Sequence, residues 1–328
     1  MKAPFPWFGG KSAVADVVWS ALGDVSAYVE PFAGSCAVLL LRPADHTGRT
    51  ETINDADGLL ANAWRSIRLH ADATASAADW PVNEADLHAR HLWLVGQREG
   101  LTDRLMADPD WCDPRAAGWW IWGASAWIGS GWCSGTGPWS ARDGRLVLGD
   151  AGQGINRQIP HIGNAGQGIN RKIPHLSDAE RGAYIREAFT ALSARLRDVR
   201  VACGDWSRVC GPSVLRAGGA PVGVLLDPPY HEGDAAYAGG QSVALWRDVC
   251  EYAIATGALP GHRVVLCGYD GGFEPPDGWR QIDWKARGGY GTQGNGDGRN
   301  NAARERIWLS PECLDPARVR QGSLFGAA

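Results

Sequence analysis

Apolar and polar positions follow two different regimes along the chain. Over residues 1–70, short apolar runs alternate with helical stretches. Ala27-Tyr28-Val29-Glu30-Pro31-Phe32 reads as a strand, Gly34-Ser35 as a turn, and residues 36–42 as an apolar helix. Glu51-Thr52-Ile53-Asn54-Asp55 reads as a second strand ending in acid, followed by a helix over 58–70. The same alternation resumes after Asp178, with helices over 179–197 and 242–256 and strands over 199–203, 222–226, 263–267 and 305–309. Strand–helix–strand units of this length predict an α/β fold with a parallel sheet, in which ligands sit at the carboxyl ends of the strands.

Residues 71–180 break the pattern. Nine of the 17 tryptophans fall here (Trp80, Trp93, Trp111, Trp119, Trp120, Trp122, Trp127, Trp132 and Trp139), and a glycine-rich stretch follows. A direct repeat, AGQGINRQIPHIGN then AGQGINRKIPHLSD, occupies 151–178 with ten of fourteen positions identical, too few copies for a solenoid. The simplest organisation is one α/β domain, 1–70 and 181–328, interrupted by a mostly helical and loop-like insertion over 71–180. Within it, the tryptophan-rich 119–132 segment reads as a small helical core more readily than as a stacking platform.

Composition narrows the function classes. Hydrophobic residues at 45% and charged residues at 21% suit a globular chain. No apolar run approaches the ~18 residues of a membrane span, and the amino terminus lacks the apolar core of a secretory signal. The eight cysteines form no CxxC pair and no zinc-spaced cluster, which predicts reduced thiols, a cytoplasmic location and no metal. A formal charge of -4 opposes bulk attraction to nucleic acid, so any DNA contact needs a local positive strip.

Three stretches carry chemistry. Gly10-Lys11-Ser12 suggests a phosphate loop, but Phe5 stands where that motif needs glycine and no strand precedes it. Tyr28 to Ser35 form a strand, a glycine turn and a helix start, a nucleotide-type cradle that lacks GxGxxG; Asp55 is placed for a ribose hydroxyl. A plain βα turn with a solvated Asp fits those residues equally. The third is Asp227-Pro228-Pro229-Tyr230, directly after the apolar run Val224-Leu225-Leu226. Prolines stiffen the loop and aim its carbonyls, so the Asp227 carboxylate and a neighbouring carbonyl become two acceptors facing one point. An exocyclic amine satisfies both, and Tyr230 offers a face for a ring to stack on. A base reaches such a pocket only by rotating out of the duplex. A structural Pro-Pro stop with a capping Asp is the alternative.

Taken in order, Trp7-Phe8-Gly9-Gly10-Lys11, Glu30-Pro31-Phe32-Ala33-Gly34-Ser35, Asn54-Asp55, Gly204-Asp205-Trp206 and Asp227-Pro228-Pro229-Tyr230 resemble the Dam-type (alpha-group) family of adenine-specific DNA methyltransferases. That resemblance implies a Rossmann-like methyltransferase sheet with helices on both faces and an inserted target-recognition domain. It implies direct in-line transfer of a methyl group from S-adenosylmethionine to the N6 of a flipped-out adenine. It assigns Trp7, Gly10, Lys11, Glu30, Pro31, Phe32 and Gly34 to the cofactor, Asp55 to its ribose and Asp205 to its adenine. Asp227, Pro228, Pro229 and Tyr230 would hold the target base, with Tyr237 a further candidate. The chain departs from the family in carrying Cys36 where a second glycine is usual. Related chemistry on cytosine N4 or on adenine in RNA, and a catalytically silent DNA-binding relative, are the alternatives.

The resemblance makes double-stranded DNA the partner, and no obligate protein partner is inferred. Within 151–177 the strongly basic residues are Arg157, Arg171 and Lys172, and there is no acid. Asn156, Arg157, Asn170 and Arg171 have side chains suited to purine edges or phosphates. A duplication that merely lengthened a surface loop would look the same.

Overall fold

The computed structural model describes residues 1–7, 9–43, 45–127, 132–133, 139–142, 145–148, 178–229, 242–284 and 304–317. Its central feature is a seven-stranded sheet. In chain order the strands and principal helices are α1 (Ala15–Leu22), β1 (Ala27–Glu30), α2 (Ala37–Leu40), β2 (Thr50–Asp55), α3 (Gly58–Leu69), α4 (Ala71–Ala78), α5 (Glu84–Ala107), α6 (Pro114–Ala126), β3 (Trp139–Arg142), β4 (Arg145–Leu148), α7 (Asp178–Leu196), β5 (Val199–Cys203), α8 (Pro212–Leu215), β6 (Val222–Leu226), α9 (Ser242–Gly257), β7 (His262–Tyr269), β8 (Arg280–Asp283) and β9 (Glu305–Leu309).

Strand order is β5-β2-β1-β6-β7-β9-β8, and β3 and β4 form a separate hairpin. The first five strands of that order run parallel, while β9 lies antiparallel between β7 and β8. Flanking helices complete a Rossmann-like α/β architecture. β1 and β6 are buried along their whole length, as expected of central strands covered on both faces. Connections leave β1 toward β2 and β6 toward β7, so the strand order reverses between β1 and β6. In open α/β sheets the crevice at that point, outside the carboxyl ends, is where ligands bind.

Helices α4 to α6 pack onto α3 and share one buried cluster with the sheet, through Leu94, Leu101, Leu105, Trp120 and Ile121. Polar side chains of α3 lock them there. Arg65 donates to the carbonyls of Leu105, Asp108 and Trp111 at 3.1, 2.8 and 3.0 Å, satisfying groups that the carboxyl end of α5 leaves open. Asn62 mimics a backbone partner for Asp113, donating to its carbonyl and accepting from its N–H, both at 2.8 Å. Asp113 in turn accepts from Ala116 N, with Pro114 at the first helical position. A Cβ on Gly118 would lie 2.5 Å from Ala77 Cβ, so glycine lets α6 approach α4. Trp64 and Trp122 are fully buried, and the Arg90 guanidinium lies over Trp80, Trp119 and Trp122 at 4.8, 4.9 and 4.4 Å. Trp120 and Trp122 are therefore core residues.

All eight cysteines are free thiols. Among the described residues no helix is long and apolar enough to cross a membrane, and no His/Cys/Asp/Glu group is arranged to hold a metal.

Candidate active site

Two motifs widely separated in sequence meet at the strand reversal. β1 ends on Glu30 before Pro31, and the parallel neighbour β6 ends on Leu226 before Asp227 and Pro228; their register pairs Val29 with Val224. The pleat puts Tyr28 and Glu30 on one face, and the Tyr28 hydroxyl donates to Glu30 Oε2 at 3.0 Å. Between β1 and the amino terminus comes Lys11, on a one-turn helix over Lys11–Ala13. Its Nζ donates to the Gly9 carbonyl at 2.9 Å and pairs with Asp227 Oδ1 at 2.9 Å. Both partners are shielded, at 6% and 19% side-chain exposure, so little water screens the pair.

Electrostatics follow from that burial. Desolvation pushes the Glu30 carboxyl up to about 8; the Tyr28 hydrogen bond opposes this and the Asp227 charge reinforces it. Glu30 is thus largely a neutral acid at pH 7. Burial alone would lower the Lys11 ammonium, but the charge and hydrogen bond of Asp227, with the charge of Glu305, outweigh it and hold Lys11 above the usual lysine range. Lys11 is a fixed cation, unable to serve as a base at neutral pH.

The glycine cradle is tied down on every side. Gly34 N donates to Asp55 Oδ2 at 3.0 Å, and Gly34 O accepts from Trp64 Nε1 at 2.9 Å. With φ at 47°, Gly34 is left-handed, and a Cβ there would sit 2.5 Å from Trp7 Nε1. Trp7 joins Phe5 and Trp120 in an aromatic cluster, so the amino-terminal motif, the cradle and α6 are one packed unit. Cys36 follows at φ 51° and ψ 28°, where glycine would be unstrained, and its wholly buried side chain leads into α2.

Asp55 accepts from Gly34 N and, at 2.9 Å, from Asp57 N, and these two bonds oppose a burial that pushes it up to about 6. Its neighbour Asn54, quoted in the sequence motif without a role, ties the carboxyl ends of three strands. Asn54 Nδ2 donates to Pro31 O at 3.1 Å and Gly204 O at 3.0 Å, and its buried Oδ1 has no hydrogen-bond partner. Asp205 is exposed beyond β5 and caps the short turn Trp206–Val209 by accepting from Ser207 N at 2.9 Å and from the Ser207 hydroxyl. Phe32 stacks on Trp206, with centroids 5.9 Å apart and rings 27° from parallel. Sequence reasoning missed Trp64, Asn54 and Tyr28; only Tyr28 carried a signal, its two-residue spacing from Glu30.

One end of the sheet therefore collects Trp7, Gly10, Lys11, Glu30, Pro31, Phe32, Gly34, Asp55, Asp205, Asp227, Pro228 and Pro229. Tyr230, Tyr237, Asn156, Arg157, Asn170, Arg171 and Lys172 lie outside the described residues. The donor set fits a cationic nucleoside cofactor: carboxyls of Glu30 and Asp55, an exposed Asp205, an unpartnered amide oxygen on Asn54, and the glycine cradle between them.

Residues 7–84 match the model of the D12 class N6 adenine-specific DNA methyltransferases, a stretch that spans the amino-terminal motif, the cradle, β2 and α3. No curated protein matches the chain. This match and the sheet order around it support a resemblance to the D12 class N6 adenine-specific DNA methyltransferases, enzymes that generally use S-adenosylmethionine.

Proposed function

We propose that the strand-reversal crevice binds S-adenosylmethionine beside a DNA adenine rotated out of the helix, and that the amine of that base is methylated there directly. The observation that carries this reading is the meeting of the cradle after β1 with Asp227 and Pro228 after β6. When bound, the cofactor would supply an electrophilic methyl on a sulfonium, whose sulfur would take the C–S electron pair on transfer to the amine. The chain's task is positioning and charge. Trp7, Gly10 and Gly34 shape the cradle, Glu30 and Asp55 present oxygen acceptors to its polar groups, and Asp205 lies where the cofactor's own adenine would end. Phe32 and Pro31 wall the methionine side.

The adenine amine is a poor nucleophile because its lone pair is delocalised into the ring. The Asp227 carboxylate and the Pro228 carbonyl accept its two hydrogens and draw the nitrogen toward tetrahedral geometry. Pro229 stiffens the turn and Tyr230 stacks on the extruded base. The methylated amine sheds its proton to water, since Lys11 is already protonated. No thiol nucleophile enters the reaction. Residues 71–180 serve target recognition, with Asn156, Arg157, Asn170, Arg171 and Lys172 of the repeat, and Tyr237, at the DNA.

The test is an Asp227→Ala variant. Methyl transfer should fall by about 10²-fold or more while the cofactor Kd, measured by calorimetry, stays within a few-fold. Parallel loss of cofactor affinity would remove Asp227 from the amine-acceptor role.

A further inference from the structure

Lys11 belongs to the motif that the sequence resemblance assigns to the cofactor, yet the contacts around it point to the other substrate. Among the described residues its ammonium meets the Gly9 carbonyl and Asp227 Oδ1, each at 2.9 Å. Gly9 itself is left-handed at φ 72°, so the backbone turns to aim its carbonyl at the lysine. An ammonium fixed in this way fixes in turn the plane of the carboxylate it grips.

We propose that Lys11 is a positioning residue for Asp227, setting the orientation and balancing the charge of the carboxylate that receives the base's amine, and is not itself a cofactor contact. The inference rests on the reading of Asp227 given above. Asp227 lies in a shielded crevice where little water screens its charge, so a carboxylate there gains from an ammonium at contact distance. A carboxylate that is both ionised and pre-oriented accepts from an incoming amine without reorganising during the reaction.

The experiment uses full-length protein carrying Lys11→Met or Lys11→Arg. Cofactor Kd is measured by titration calorimetry, and kcat is followed with methyl-labelled cofactor and DNA. For Lys11→Met the expected result is a kcat lower by about 10²-fold with a cofactor Kd changed less than about threefold. Lys11→Arg should recover at least about tenfold of the lost rate, since it restores a cation at the carboxylate.

A Kd that rises in proportion to the fall in kcat would overturn the proposal and return Lys11 to the cofactor. An unchanged kcat in Lys11→Met would overturn it too. Should the methionine variant fail to fold, Lys11→Arg carries the test alone. Its kcat must fall while Kd holds, and a Kd that moves with kcat is contradictory. Wild-type protein that labels no base would instead sink the reading of Asp227, a result visible before any variant is made.

Discussion

At the scale of single residues, the site is governed by how far burial shifts carboxyls. Glu30 is 4% exposed and its carboxyl is pushed up to about 8, so the folded state keeps a proton that an unfolded chain releases near pH 4. Wherever the folded state binds more protons, stability falls as pH rises. The Glu30 contribution is full below its unfolded value and is lost as pH climbs through about 8; Asp55 behaves in the same sense up to about 6. Cofactor-free protein should therefore show a Tm that declines between about pH 6 and 8.5, a window in which Glu30 dominates. Glu30→Gln should flatten that decline, as scanning calorimetry can check. An equally steep decline in the variant would show that Glu30 is ionised in the folded protein. The acids at strand ends were legible because strand termination is readable from the apolar run. Their charge states were not, since burial is a property of the packed sheet. The pairing of Lys11 with Asp227 joins residues at opposite ends of the catalytic halves, and nothing local signals it.

Elements were legible in proportion to how uniformly they bury. β1 and β6 are buried throughout, and both were read as strands, although β1 ends at Glu30 and not at Phe32. β8, with the sequence RQID at the sheet edge and alternate exposure, gave no apolar run to read. α5 was hidden for a different reason. Its buried face includes Arg90 and His91, which pack against tryptophans, so its inward stripe does not look hydrophobic. The cradle turn permits a sharper test. Gly9 and Gly34 both have positive φ, but a Cβ on Gly9 meets nothing within 4 Å, whereas one on Gly34 meets Trp7. Gly9→Ala should cost only the left-handed strain, ~1 kcal/mol. Gly34→Ala adds a collision with a packed indole, for a total of about 2–4 kcal/mol. Calorimetric Tm should consequently drop several degrees further for Gly34→Ala, with cofactor affinity reduced in that variant. Equal Tm losses would mean that Trp7 yields freely and does not brace the cradle.

At the scale of the whole molecule, the order of strands does what no single motif can. It carries the amino-terminal motif, the cradle and Asp227 to one end of a sheet whose reversal point opens between β1 and β6. The α/β class was visible in the alternation of apolar runs and helical stretches, while the packing of α4 to α6 onto α3 rests on buried polar locks such as Arg65 and Asn62 that periodicity does not reveal. With a net charge of -4, the chain would approach DNA against its overall field, so the proposed function calls for local basic residues at the DNA. The most direct measurement is nucleoside mass spectrometry of double-stranded DNA incubated with the protein and methyl-labelled S-adenosylmethionine. The account predicts label on N6-methyladenine and on no other nucleoside. Label on cytosine, or on no base while the cofactor still binds, would contradict it.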